Sequence, residues 1–260
     1  MTEALLHTVA RLREAQQILV LTGAGMSAES GLPTYRGQGG LYNRGQRLQG
    51  FTIEECLSAS MLRRRPDICW MALHQLLDAG AQPQPHAGHL ALAQMETLLR
   101  GLTVVTQNVD GLHQMAGSHS VVEMHGHIHG LRCDTCRDQD AAAKNRAWRQ
   151  RREVPICGHC GGVLRPPVVL FEEALPLGAV ESYEACLALR PEVVLVVGTS
   201  AGFAYIQQPV WQLQAEGAWA VDINPVPSAV SPAVNWHWQT TAAQGLTQLA
   251  QALRDTTTVA

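Results

Sequence analysis

The chain has 260 residues, of which 46% are hydrophobic and 16% are charged, and its formal net charge at pH 7 is −3. These values indicate one large globular domain, or a domain with an inserted module, built around a substantial core. The slightly acidic balance argues against a general nucleic-acid-binding protein, and no apolar run is long enough to cross a membrane.

The chain begins with a helix and a buried strand. Residues 2–16 show an amphipathic helical pattern rather than a secretory signal, so we expect a cytoplasmic location. The unbroken apolar run at 18–21 predicts a strand covered on both faces. Gly23 and Gly25 then form a turn that a ligand can approach closely. Residues 27–30 are predicted to start a helix whose free N–H groups suit a pyrophosphate. The third glycine of the dinucleotide fingerprint is absent, so by itself this stretch is equally consistent with an ordinary turn.

Helices and strands alternate along the rest of the chain. Helical structure is predicted at 51–80, with a capping start at Thr52 and a restart at Pro66 that runs through Leu77. Further helices are predicted at 86–99, 178–190, 206–216 and 242–254. Strands are predicted at 102–106, from 121 onward, and at 168–171, 193–197, 218–223 and 235–238. This alternation predicts a doubly wound parallel sheet, in which ligands bind beyond the carboxyl ends of the strands.

Polar or glycine residues stand at five of the predicted strand ends. They are Thr22-Gly23, Gln107-Asn108, His125-Gly126, Gly198-Thr199-Ser200 and Asn224. Ordinary turns do not readily explain one chemical character at five strand ends, so the sequence predicts a binding site at this edge of the sheet.

Seven cysteines divide into two groups. Cys133, Cys136, Cys157 and Cys160 form two C-x-x-C pairs separated by twenty residues, a spacing typical of a closed, structural Cys₄ zinc site. A redox C-x-x-C is the alternative, and two pairs at this spacing make it the weaker one. His159 is interpreted as a bystander. The isolated Cys56, Cys69 and Cys186 are predicted to be small core residues.

Taken together, the motifs resemble those of the sirtuins, which are NAD-dependent protein-lysine deacylases. The resemblance lies in the stretches 23–33, 36–37, 106–113 and 123–126, the four paired cysteines, and the stretches 198–200 and 222–224, which follow the order of the family. It implies an α/β fold in which a Rossmann-like parallel sheet carries a smaller lobe, made of a Cys₄ zinc ribbon and a helical insertion. One catalytic domain would span residues 1–260, with the insertion at 38–100 and the zinc-binding module at 131–166.

The resemblance also implies the residue roles. His125 would be the catalytic base, and Asn108 and Asp110 would line the nicotinamide pocket. NAD contacts are expected from Gly23, Ala24, Gly25, Glu29, Tyr35, Arg36, Gln107, Asn108, Asp110, Gly198, Thr199, Ser200, Asn224 and Ala242. In the family, the acyl oxygen of the substrate attacks the ribose carbon that bears nicotinamide. The base then activates a ribose hydroxyl, and deacylated lysine and O-acyl-ADP-ribose are released. Histidine suits this step because its pKa is near working pH.

The implied partner is an acyl-lysine protein or peptide, which would bind as an extra strand beside residues 168–171. Neither nucleic acid nor membrane is expected as a partner, and a monomer is the default. The implied cofactors are NAD, consumed as a co-substrate, and one structural zinc ion.

The chain departs from the usual family pattern at several positions. Tyr35 stands where phenylalanine is usual, and Glu172 occupies a position where glycine is usual and could crowd the peptide. Phe203 to Tyr205 occupy a region that often holds proline. The branch that removes succinyl and malonyl groups has Tyr-x-x-Arg on a helix of the small lobe, where our alignment places Leu73 and Leu76. Without a cation to pair with a carboxylate, we expect acetyl or longer apolar acyl groups.

Two other function classes remain open on the sequence alone. The same pocket could transfer ADP-ribose to protein or hydrolyse NAD, and Glu172 keeps this alternative open. A non-catalytic zinc-ribbon binding module is the other class, and the set of Asn108, Asp110 and His125 argues against it.

Overall fold

The computed structural model describes residues 2–33, 47–79, 83–136 and 152–255. The α-helices of these ranges are α1 (Glu3–Glu14), α2 (Ile53–Cys56), α3 (Ala59–Arg64), α4 (Pro66–Ala79), α5 (Ala87–Leu98), α6 (Leu112–Met115), α7 (Leu177–Ala188), α8 (Ala204–Ala215) and α9 (Ala242–Asp255). The strands are β1 (Ile18–Thr22), β2 (Leu102–Thr106), β3 (Val121–Glu123), β4 (Arg132–Cys133), β5 (Leu164–Arg165), β6 (Val193–Val197), β7 (Trp219–Ile223) and β8 (Trp236–Trp238).

Six of these strands form one parallel sheet in the order β3-β2-β1-β6-β7-β8. The chain reverses its direction of winding between β1 and β6, which is the switch point where a doubly wound sheet opens a crevice for a ligand. The parallel sheet predicted from the alternation of helices and strands is confirmed. The buried runs of β1, β2 and β6 begin at the predicted residues, because every side chain of such a strand faces a covering helix.

The two faces of the sheet are covered by different helices. Ile18 and Val20 face the layer of α1, α5 and α9, where Leu92 of α5 packs in the same cluster. Leu19 and Leu21 face α7 and α8. This alternation follows from the two-residue period of a strand, so one apolar run supplies both cores.

A smaller lobe stands beside the sheet. The antiparallel pair β4 and β5 packs with α2, α3 and α4 in a third core cluster. Trp70 is 1% exposed and donates from Nε1 to the carbonyl of Leu164 at 3.0 Å, which ties α4 to the ribbon. Within the predicted 38–100 insertion, α5 packs on the large sheet instead. The domain bounds themselves stay predictions.

The predicted helical region 51–80 contains three helices: the restart at Pro66 is confirmed, whereas the break between α2 and α3 was not predicted. Thr52 and Glu55 form the expected capping box at the start of α2. Ser58 then caps α3 by accepting a hydrogen bond from the Met61 amide, and Pro66 begins α4. Proline disfavours helical geometry in the residue before it, so the chain cannot run through as one helix.

Two other predictions of local structure are wrong. Residues 27–30 do not start an α-helix; the chain forms two short 3₁₀ turns, Ala24–Met26 and Ala28–Ser30, and Gly31 ends them at φ 81°. Residues 168–171 do not form a strand of the sheet. They make only isolated bridges, Gly126 to Val168 and Ser58 to Phe171. In the described parts of the chain, no helix has the length and hydropathy needed to span a membrane.

Candidate active site

A cavity of about 770 Å³ opens at the carboxyl ends of β1, β2, β6 and β7. Most of the predicted cofactor-binding residues lie on its wall: Gly23, Ala24, Gly25, Glu29, Gln107, Asn108, Gly198, Thr199, Ser200, Asn224 and Ala242. His125 lines it as well. Asp110 lies behind the wall and reaches the site through a neighbour, and Tyr35 and Arg36 lie outside the described residues.

The loops after β1 and β6 pack against each other through glycine. The Gly25 amide donates to the carbonyl of Gly198 at 2.7 Å. A Cβ on Gly25 would lie 2.7 Å from that carbonyl oxygen, and a Cβ on Gly23 would lie 2.7 Å from the Thr199 side chain. Side chains are therefore excluded from this contact, and both backbones reach the cavity.

Gln107 and Thr199 link the ends of β2 and β6. Gln107 Nε2 donates to Thr199 Oγ1 at 2.9 Å and to the carbonyl of Thr22 at 3.3 Å. Both side chains are buried, so these hydrogen bonds fix polar groups at the base of the cavity, at the switch point of the sheet.

Asn108, Ser27 and Asp110 form a chain of hydrogen bonds. Asn108 Nδ2 donates to the carbonyl of Gly23 at 2.9 Å and to Ser27 Oγ at 3.1 Å. Ser27 Oγ donates to Asp110 Oδ2 at 2.7 Å, while Asp110 Oδ1 accepts from the Leu112 amide at 2.9 Å. The Asn108 oxygen and the Asp110 carboxylate are thereby oriented before any ligand arrives.

His125 is held at both ring nitrogens. Nδ1 lies 2.9 Å from the carbonyl of Gln107, and Nε2 lies 2.9 Å from the hydroxyl of Tyr205. Burial lowers the pKa of His125 and outweighs the opposing hydrogen bond to Gln107. The imidazole is therefore neutral at pH 7 and able to accept a proton.

A second histidine, His113, is linked to the Asn108 backbone through two threonine hydroxyls. His113 Nε2 lies 3.0 Å from Thr22 Oγ1, which donates to Thr106 Oγ1 at 2.8 Å, and Thr106 Oγ1 accepts from the Asn108 amide at 3.0 Å. The ring of His89 lies 5.0 Å from that of His113. Both histidines are buried.

Glu29 closes the far end of the β1 loop. Its carboxylate accepts from Thr241 Oγ1 at 3.1 Å and from the Ala243 amide at 2.9 Å. Thr241 immediately precedes α9 and Ala243 is in its first turn, so Glu29 caps that helix and fixes Ala242 on the cavity wall.

Asn224 is held by a buried carboxylate that sequence reasoning missed. Asp222 is fully buried and accepts hydrogen bonds from Asn224 Nδ2, Ser228 Oγ and Ser231 Oγ. The spacing Asp-x-Asn at the carboxyl end of a buried strand was a usable signal, because a carboxylate inside such a strand must find donors.

The cavity also has a cluster of apolar side chains on its wall, and Glu54, Glu172 and Glu173 line it as well. Leu73 and Leu76, placed there by alignment, do line it, together with Leu57, Val109, Ile128, Val168 and Leu170. Leu73 is 1% exposed. The cationic residues of the described chain are absent from this wall.

The segment after β5 is anchored by an ion pair between a buried arginine and a partly buried glutamate. Arg165 is fully buried and binds the Glu173 carboxylate through Nη1 at 2.6 Å and Nη2 at 2.9 Å. Glu172, at φ 73°, turns its carboxylate to the amide and hydroxyl of Ser60. Glu172 therefore contacts α3 rather than reaching across the cavity. No sequence spacing indicated either contact.

The four paired cysteines converge in the smaller lobe. Their sulfur atoms all lie within 4.8 Å of one another, with 3.4 Å between Cys133 and Cys160 and 3.8 Å between Cys136 and Cys157. A zinc ion with bonds of about 2.3 Å to a tetrahedron of thiolates requires sulfur separations of about 3.8 Å. The donor set fits a closed zinc site, and His159 is outside it. Cys56, Cys69 and Cys186 are buried, as predicted.

The chain is similar in sequence and in fold to several known proteins. Residues 23–204 match the model of a family described as the Sir2 family. The chain is 43% identical over 247 residues to a protein named NAD-dependent protein deacylase 2 from Pseudomonas syringae pv. tomato, covering 94% of this chain and 98% of that protein. It is also similar to a solved Sir2 homologue variant bound to ADP-ribose, with TM-score 0.86, 31% identity and 100% and 99% of the two chains covered. A Sir2 homologue–NAD complex is similar at TM-score 0.83 and 32% identity, with coverage of 98% and 95%.

Proposed function

This chain belongs to the Sir2 family and is an NAD-dependent protein deacylase, and on that premise we propose how its own residues divide the work. The observation that carries the proposal is the position of His125. Its neutral imidazole lines the same cavity as the glycine-lined loops after β1 and β6.

The residues present fit NAD. The contact between Gly25 and Gly198 leaves a cradle that a Cβ would fill, which is the requirement for close approach of a pyrophosphate. Thr199 and Ser200 would contact the phosphate and the adenosine ribose, and Asn224 would contact the same ribose. NAD supplies the ribose carbon that takes the acyl oxygen as nicotinamide leaves. Asn108, already oriented through Ser27, would bind the nicotinamide end, and Asp110 behind the cavity wall would hold Ser27 and Asn108 in place.

His125 would then accept the proton of a ribose hydroxyl. Its Nδ1 donates to the carbonyl of Gln107, so Nε2 carries the lone pair that a base needs. A buried neutral histidine is a ready acceptor at pH 7, and general-base catalysis of this kind contributes about 10² to 10⁴ in rate.

The apolar wall would receive the acyl group. Leu73 and Leu76 offer a methyl or alkyl chain apolar contact, and neither can pair with a succinyl or malonyl carboxylate. We therefore expect acetyl or longer apolar acyl groups to be preferred. The acyl-lysine peptide would lie along residues 168–171, where the Arg165–Glu173 ion pair holds the chain in place. A cytoplasmic location and a monomeric state stay predictions.

Mass spectrometry of reactions with NAD and a panel of acyl-lysine peptides tests the proposal. We expect O-acyl-ADP-ribose and nicotinamide, with acetyl or alkyl acyl groups removed faster than succinyl. His125→Ala should abolish product formation while NAD still binds. Comparable turnover of succinyl and acetyl peptides would contradict the role of the leucines, and unchanged turnover by His125→Ala would contradict the role of the base.

The same experiment examines the alternative chemistry. Free ADP-ribose or ADP-ribose attached to protein, without the O-acyl product, would indicate hydrolysis or transfer. The Glu172 carboxylate is engaged with Ser60, which favours the deacylase over a transferase that uses this residue.

A further inference from the structure

The hydroxyl of Tyr205 is hydrogen-bonded to Nε2 of His125, the atom that must act as the base. Tyr205 Oη lies 2.9 Å from His125 Nε2, and both side chains line the cavity. The two residues are eighty positions apart, and Tyr205 stands in the first turn of α8. The proposed mechanism leaves this contact unused, because it needs only a free lone pair on His125.

The direction of this hydrogen bond follows from the other nitrogen. The carbonyl of Gln107 can only accept, so His125 Nδ1 carries the proton of the neutral ring. Nε2 is then an acceptor, and Tyr205 must donate to it. Burial raises the pKa of Tyr205, so its hydroxyl stays protonated across the working range of pH. The oxygen of this hydroxyl keeps lone pairs that can accept a second hydrogen bond.

Tyr205 is anchored at its backbone and its ring. Its carbonyl accepts from Tyr183 Oη at 3.2 Å, and its ring stacks on Phe203 with centroids 5.6 Å apart. A hydroxyl held in this way is suited to remain beside His125 when a ligand enters, rather than to swing out of its path.

We propose that Tyr205 relays the proton between the substrate ribose hydroxyl and His125. The ribose hydroxyl gives its proton to Tyr205 Oη as the Tyr205 proton passes to His125 Nε2. The ribose hydroxyl oxygen bonds to the acyl carbon. The π electron pair of the acyl carbon's double bond moves onto the heteroatom at the other end of that double bond. Tyr205 is neutral before and after the step, and His125 becomes an imidazolium.

The relay rests on the proposed function, so the test separates the two chemical stages. Tyr205→Phe keeps the ring and removes only the hydroxyl. Exchange of labelled nicotinamide into NAD, with acetyl-lysine peptide present, reports the stage before the base acts. We expect exchange within about twofold of wild type and single-turnover formation of O-acetyl-ADP-ribose slower by about tenfold to a hundredfold.

Tyr183→Phe is the matched control, since it also removes one phenol hydroxyl, but from the contact with the Tyr205 backbone. Tyr205 keeps its place in the first turn of α8 and its stacking on Phe203, so we expect near-normal rates for both stages in this variant. Loss of exchange in the wild-type protein would refute the proposed function itself. Normal or faster product formation in Tyr205→Phe would overturn the relay and show that the hydroxyl merely covers the lone pair.

A second measurement uses only the wild-type protein, so it does not depend on whether a variant folds. The single-turnover rate of product formation is measured in mixtures of H₂O and D₂O. A relay moves two protons in one step, so the rate should curve with the deuterium fraction in the wild-type protein. A linear dependence in the wild-type protein would overturn the proposal.

Discussion

Replacing Gly198 with alanine tests whether the glycine contact between the two loops forms the cofactor cradle. Gly198 has φ +58°, which costs an alanine about 1 to 2 kcal/mol. Its Cβ would also lie 2.5 Å from the carbonyl carbon of Gly25 and against the Met26 amide. These are backbone atoms that cannot rotate away, so overpacking adds about 1 to 3 kcal/mol. The expected loss in free energy of unfolding is therefore about 2 to 5 kcal/mol.

Gly217 supplies the matched control for this substitution. It has φ +100°, but a Cβ there would meet no atom within 4 Å. Gly217→Ala should therefore show the backbone strain alone, about 1 to 2 kcal/mol.

Denaturant unfolding gives the stability of the two variants, and calorimetric titration gives their affinity for NAD. We expect Gly198→Ala to weaken NAD binding by at least about tenfold, or about 1.4 kcal/mol, because the loops must separate. Gly217→Ala should bind NAD normally. Equal destabilisation by the two substitutions, or unchanged NAD affinity in Gly198→Ala, would refute the reasoning.

Three further predictions concern the zinc lobe, the anchoring ion pair and the buried histidines. Removing metal with a chelator should make the 131–166 region sensitive to protease while the parallel sheet keeps its far-UV circular dichroism; unchanged protease resistance and activity would argue against zinc. Burial raises the pKa of Glu173, but the hydrogen bonds from Arg165 and the Leu170 amide outweigh it, so the pKa is lowered. The pair therefore stabilises the fold above about pH 4.5, the unfolded value, and this stabilisation is lost as the pH falls through the folded value. Glu173→Gln should cost about 1 to 3 kcal/mol at pH 7 and less in acid, measured by denaturant unfolding, because Glu173 is partly exposed and Asp134 remains 3.8 Å from Arg165; an equal cost at both pH values would contradict this. Burial lowers the pKa of His113 to about 4 and that of His89 to about 2, so only the unfolded chain takes up these protons between about pH 6.5 and 4. The free energy of unfolding should therefore fall as the pH is lowered across this range, and His89→Leu should make this fall smaller. A pH dependence that His89→Leu leaves unchanged would show that His89 does not contribute to it.

Patterns that are local in the sequence predicted most of the fold. The runs at 18–22, 102–106 and 193–197 are strands because several successive apolar side chains can all be buried only where both faces are covered. The capping box at Thr52 depends on atoms three residues apart. The cysteine spacing encodes the metal site in the same way. Each of these features is decided within a few residues or by a short, regular interval, so no knowledge of the tertiary structure was needed.

Contacts between distant residues required the tertiary structure. Gly25 and Met26 pack on Gly198, and two short 3₁₀ turns replace the predicted helix start in this loop. Residues 168–171 hydrogen-bond to His125 and Leu57 and stand outside the sheet. Tyr205 contacts His125 only because α8 begins beside the end of β3.

The sequence by itself determined that this chain forms a doubly wound sheet, carries four clustered thiolates, and places polar groups at the strand ends. Only the tertiary structure decided which of those groups touch the cavity, which stand behind it, and which hydroxyl lies on the base. The physical reason is the distance along the chain over which each interaction acts. Hydrophobic period and motif spacing depend on residues that are close in sequence. The orientation of Asp110 through Ser27, the burial of Asp222 and the neighbour of His125 are set by packing between elements that are far apart in sequence.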